Sequence, residues 1–112
     1  MNNAVLLFTA NGMGKAEPAL QLTLAAKYLD LALQHSDLPA AICFYTEGVR
    51  LTCEGSPVLD QLRALEAKGV RLVICSTCLN YFQLTDQVRV GIVGGMGDIL
   101  TAQADAAKVI SL

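Results

Sequence analysis

The sequence predicts an α/β protein: a three-layer α/β/α sandwich on a parallel sheet of about five strands. Three observations carry this expectation. Apolar, strand-like runs recur along the chain, with little of the polar alternation of a half-exposed sheet, as in Ala4-Val5-Leu6-Leu7-Phe8-Thr9, Ala40-Ala41-Ile42-Cys43-Phe44-Tyr45 and Gly69-Val70-Arg71-Leu72-Val73-Ile74. Strands covered on both faces read this way. Helical spacing fills the intervals between them, and that alternation implies right-handed βαβ crossovers. Turn-forming loops follow the strands, at the carboxyl edge where such sheets gather ligands.

Taken in order, the first strand ends in Asn11-Gly12-Met13-Gly14, a strand-to-helix loop whose glycines permit positive φ or close backbone approach. Glu17 and Pro18 suit a first helical turn. Leu20, Leu24, Tyr28 and Leu31 then recur at helical spacing up to about Gln34, with Leu22, Ala25, Leu29 and Leu33 as a second apolar row. The second strand turns out through Thr46-Glu47-Gly48, and the weak alternation of Val49-Arg50-Leu51-Thr52-Cys53 suggests a short extended excursion. Glu54-Gly55-Ser56-Pro57 offers an N-cap and a first-turn proline for a helix through Leu59, Leu62 and Leu65 to Lys68, which Gly69 stops. The third strand leads into Cys75. A short helix or turn is expected over residues 79–84, a fourth strand over 88–93, a glycine-bearing loop at 94–98, a helix over 98–107 and a last strand over 108–112.

A chain of 112 residues is long enough for one domain with a real core. The net charge of -2, with Lys and Arg scattered, leaves no basic footprint for nucleic acid. Met1-Asn2-Asn3 lacks a basic region and the following apolar run is too short for a signal peptide or a membrane span, so a cytoplasmic protein is expected. With 54% hydrophobic residues on a small chain, apolar surface should remain after folding, which predicts a homo-oligomer, a dimer or larger.

The chemistry is expected at Cys75-Ser76-Thr77-Cys78. In the cytoplasm a C-x-x-C pair is more often catalytic or metal-binding than structural. Cys75 would sit where strand meets helix, with Ser76 or Thr77 capping the helix, and a thiol against unpaired N–H groups has its thiolate stabilised. A zinc site needs more ligands than this pair and a single, distant His35, so neither metal nor cofactor is expected. Cys43 reads as a small core hydrophobe. Cys53 reads as a passive thiol, with a resolving role open to it. Gly12-Met13-Gly14-Lys15 lacks the spacing of a phosphate-binding loop and is taken as a tight turn. Four loops would converge at the carboxyl edge: Asn11 to Gly14, Tyr45 to Gly48, Cys75 to Cys78, and Gly94 to Asp98.

With Phe44-Tyr45-Thr46-Glu47-Gly48-Val49, Glu54-Gly55-Ser56, Gly69-Val70 and Cys75-Ser76-Thr77-Cys78-Leu79 in view, and Met96 after the fourth strand, the chain resembles the DsrE/TusD-like sulfur-relay family nearly end to end. Within it, the resemblance is greatest to the DsrE-like domain of selenium-metabolism proteins. It departs where basic residues often follow the carrier cysteine, having Leu79-Asn80-Tyr81-Phe82 there. The resemblance implies an oligomeric DsrE-like fold that carries sulfur as a persulfide on Cys75 and passes it to a partner protein. Cys78 would then attack that persulfide or seal it as a disulfide. Asn11, Gly12, Met13, Gly14, Tyr45, Thr46, Glu47, Gly48, Ser76, Thr77, Gly95 and Met96 are the expected ligand- or partner-binding positions. A non-catalytic binding module and a dithiol oxidoreductase stay open as alternatives.

Overall fold

A computed structural model describes residues 2–112. Its strands β1 (Ala4–Phe8), β2 (Ala41–Phe44), β3 (Arg71–Cys75), β4 (Ile92–Gly94) and β5 (Lys108–Ser111) form one parallel sheet in the order β4-β3-β2-β1-β5. Every residue of β1 and β2 is buried, and only Arg71 of β3 is exposed, which explains why these three strands read as uninterrupted apolar runs. The register sets Phe8 beside Phe44 and Phe44 beside Ile74, so the carboxyl ends of the central strands finish level. The Phe8 and Phe44 rings stack with centroids 5.7 Å apart.

Helices α1 (Pro18–Gln34) and α2 (Leu59–Ala67) pack against each other, while α4 (Met96–Asp105) lies against β3 and β4. The short α3 (Ser76–Tyr81) follows β3 with no intervening loop. The sandwich anticipated from the alternation of elements is the one observed. No helix of the described residues is long and apolar enough to cross a membrane.

Several local expectations are corrected. Residues 49–53 are not extended: Thr46–Thr52 forms a 3₁₀ helix whose Val49, Leu51 and Thr52 are buried, with the Thr52 hydroxyl donating to the Val49 carbonyl at 2.7 Å. The second helix begins at Leu59, after Pro57, because residues 53–56 close a turn first (Ser56 N–H to Cys53 O, 3.0 Å). The fourth strand shrinks to Ile92–Gly94, since Gly91 turns the chain at φ +81° and Val88 instead makes an isolated bridge to Cys53. α4 starts at Met96, where the Asp98 carboxylate reaches back to accept the Gly95 N–H at 2.9 Å. On α1 the core row is Ala25, Leu29 and Ala32, whereas Leu20, Leu24 and Leu31 face outward.

Candidate functional site

β3 delivers Cys75 to the carboxyl edge, paired with Gly94 of β4, and the chain turns at once into α3. Cys75 itself occupies the N-cap position and no side chain caps the helix, so the capping expected of Ser76 or Thr77 is absent. Both residues lie in the first helical turn instead. The two sulfurs differ sharply in access. Cys75 is 0% exposed and Cys78 is half-buried, its side chain carried outward by the first turn of α3.

Cys78 borders a cavity of about 330 Å³ lined by Thr46, Thr77, Tyr81 and Phe82. The Thr46 N–H donates to its Sγ at 3.0 Å. One wall is braced from outside: the Arg50 guanidinium lies 4.6 Å from the Phe82 ring centroid, and its Nε pairs with the Glu47 carboxylate. The Phe82 N–H donates to the Cys78 carbonyl at 3.0 Å, fixing where the helix ends.

Burial pushes the Cys78 thiol above its ordinary range. The Thr46 N–H pulls the other way by stabilising the thiolate. Cys75, a hydrogen-bond partner and a potential neighbouring charge, pushes Cys78 further up. Burial likewise raises Cys43 and Cys53, and the Cys53 thiol donates to the Val49 carbonyl at 3.3 Å inside its own turn. Cys43 is a core filler, wholly enclosed.

The other anticipated positions divide into those at the cavity and those away from it. Thr46, Thr77 and Cys78 line it directly, and Glu47 acts on its wall through Arg50. Tyr45 and Gly48 form the base of the same turn: the Tyr45 N–H donates to Phe8 O at 3.2 Å, and the Gly48 N–H to Tyr45 O at 3.0 Å. The loop at residues 11–14 folds back on α1 instead, with the Met13 N–H donating to Gln21 O and Gly12 at φ +136° packed against Gln21. Asn11 lines a separate, more polar cleft with Arg50, Glu54 and Ser56. Gly95 and Met96 open α4 and do not line the Cys78 cavity, although Met96 is half exposed.

Tyr81, Phe82 and Arg50 were not singled out from sequence. The signal was present for two of them: positions three and four beyond a helical cysteine share its face. Nothing local reveals Arg50, because its contact with Phe82 is tertiary.

The model of the DsrE/DsrF-like family matches residues 2–112, nearly the whole chain. The chain belongs to the DsrE/DsrF-like family. No curated protein matches it. Among solved structures, this DsrE/DsrF-like chain is similar to the ychN protein from E. coli, with a TM-score of 0.72, 19% identity and 100% of both chains covered. It is also similar to MTH1491 from Methanobacterium thermoautotrophicum (TM-score 0.66, 18% identity, 97% of this chain and 98% of that one). BT1422 from Bacteroides thetaiotaomicron aligns over 99% of this chain and 96% of its own, with a TM-score of 0.65 and 15% identity. At these identities what is shared is the fold. In the DsrE/DsrF-like chain the fold brings the turn after β2 against the cysteine pair after β3, since these strands are neighbours in the sheet.

Proposed function

We propose that this DsrE/DsrF-like chain is a cytoplasmic sulfur-handling protein that receives sulfur as a persulfide on its C-x-x-C pair and passes it to a partner protein. The observation that carries the reading is the Cys78 sulfur, open to an apolar cavity and held by a backbone N–H, with the enclosed Cys75 three residues before it at the end of β3. Family membership supports the same chemistry. The sequence alone favours Cys75 as the loading thiol. Its complete burial argues for the opposite order, because a persulfide there would need an extra sulfur atom inside a close-packed core.

Sulfur would enter by attack of the Cys78 thiolate on the outer sulfur of a donor persulfide. A new S–S bond forms at Cys78 as the donor's S–S bond breaks, and the donor leaves as a thiolate with that electron pair. Transfer to an acceptor thiolate repeats the exchange, with no net oxidation. Cys75 is placed to discharge an unclaimed persulfide: its thiolate attacks the Cys78 inner sulfur, leaving a Cys75–Cys78 disulfide and expelling hydrosulfide.

Incubation with a cysteine desulfurase and cysteine, followed by non-reducing intact-mass analysis, should show a gain of one sulfur mapped to Cys78. Cys78→Ser should lose it, and Cys75→Ser should keep or accumulate it. Loading at Cys75 in the Cys78→Ser protein would reinstate the order read from the sequence. The C-x-x-C spacing of the two thiols also suits a dithiol oxidoreductase, and a reversible disulfide without any sulfur gain would select that reading. If neither thiol reacts, a binding module remains.

A further inference from the structure

Thr46 is a β-branched residue at φ +50°, a region such side chains seldom occupy. Strain of this kind persists only where the surroundings enforce it. Three contacts do so. The Thr46 hydroxyl is within hydrogen-bond reach of the Thr9 carbonyl beyond the end of β1 and, at 2.7 Å, of the Tyr45 carbonyl, and donates its one proton to either. Before it, the Tyr45 N–H is bound to Phe8 O. After it, Gly48 is pressed so close to β1 that a Cβ there would lie 1.9 Å from Phe8 O. This anchoring fixes the Thr46 N–H, which points at the Cys78 sulfur from the turn after β2.

We propose that Thr46 is a positioning residue for the sulfur chemistry: its hydroxyl, tied to the end of β1, holds a left-handed backbone that aims the Thr46 N–H at Cys78 and stabilises negative charge on that sulfur. The inference rests on the reading of Cys78 as the working thiol. It assigns the turn after β2 a task in the reaction besides contact with a partner. An N–H held this way needs no reorganisation when the thiolate forms, and it remains beside the sulfur that becomes the inner atom of the persulfide. Among the described residues lining the cavity, Tyr81 and Phe82 present rings, and the hydrogen bond to the sulfur comes from the Thr46 N–H.

The test is the pH profile of Cys78 alkylation by iodoacetamide, followed by peptide mapping in the wild type, Thr46→Ser, Thr46→Ala and Thr46→Gly. No sulfur donor is present, so the result stands apart from success or failure of persulfide loading. Thr46→Ser keeps the hydroxyl and should reproduce the wild-type profile. Thr46→Ala should move the midpoint to higher pH and slow alkylation at neutral pH by about 3- to 10-fold, the effect of loosening one hydrogen bond to a charged group. Its alkaline plateau should not fall, because the plateau reports access to the sulfur and the midpoint its ionisation. Thr46→Gly adopts positive φ without strain, remains folded if Thr46→Ala does not, and should shift in the same direction for lack of the anchor. Midpoints equal to the wild type in both Thr46→Ala and Thr46→Gly would overturn the proposal.

Discussion

At the scale of single residues, the site depends on how closely the turn after β2 is seated on β1. Gly48 permits that approach: its ideal Cβ would lie 1.9 Å from the Phe8 oxygen and 2.6 Å from the Phe8 carbonyl carbon, both backbone atoms of a buried strand. Neither can swing aside as a flexible side chain could. Gly48→Ala should therefore destabilise the protein by about 3 kcal/mol or more, the upper part of the range for overpacking. Urea unfolding measures this directly. A loss of only about 0.5 kcal/mol, the size of an ordinary surface change, would mean that the turn is free to lift from the strand. The same variant should weaken the Thr46 contact to Cys78, since Gly48 and Thr46 belong to one turn. By contrast, Cys43 affects the site only as packing, being enclosed in the middle of β2.

At the scale of elements, α1 shows both what the sequence reveals and what it conceals. Two apolar rows run along this helix, and periodicity cannot say which meets the sheet. The row with Ala25, Leu29 and Ala32 does, the small alanines permitting close approach, and Leu31 remains 65% exposed. Leu29→Ala should cost about 2–5 kcal/mol in thermal or urea unfolding, as deletions in packed cores do. Leu31→Ser should stay within about 0.5 kcal/mol for the monomer. Equal losses would reverse the assignment of faces. The central strands were legible for a different reason, since parallel strands buried on both sides must be apolar throughout. The edge strand β4 was less so: Ile92 and Val93 are exposed, and Val88 and Val90, which extend the apolar pattern, lie before the Gly91 turn. The cysteine pair was visible at a strand end, but not which sulfur is open. That follows from α3 beginning at Ser76 with no breaker residue to announce it, which turns Cys78 outward and leaves Cys75 under the helix. The 3₁₀ segment Thr46–Thr52 escaped notice because its stability is tertiary, resting on burial of Val49 and Leu51.

At the scale of the whole molecule, the outward leucines of α1 and the buried thiols lead to different expectations, one about association and one about pH. Leu20, Leu24 and Leu31 lie on one helix with 50%, 39% and 65% exposure, and a second copy of the chain is the partner we expect there. Sedimentation should then show a dimer or larger at micromolar concentration, which Leu31→Ser weakens; a monomer at all concentrations would count against it. The pH dependence follows from burial. Cys43, Cys53 and Cys78 all have thiols raised by desolvation, so in each the folded state holds its proton more tightly than the unfolded chain, where a thiol titrates near about 8.5. Stability from these groups is fully present below that value and is lost as pH climbs toward the raised folded values, because the unfolded chain gains by ionising first. Tyr28, also raised by burial, extends the decline above about pH 10. Under reducing conditions the urea midpoint should thus hold steady through neutral pH and fall from about pH 8.5 upward. Replacing the enclosed Cys43 with Ala should make the fall shallower, since one proton is removed from the linkage while the other thiols keep theirs. A midpoint unchanged to about pH 10 would show that the thiols ionise alike in the folded and unfolded chain, and that the sulfurs are far better solvated than their burial allows.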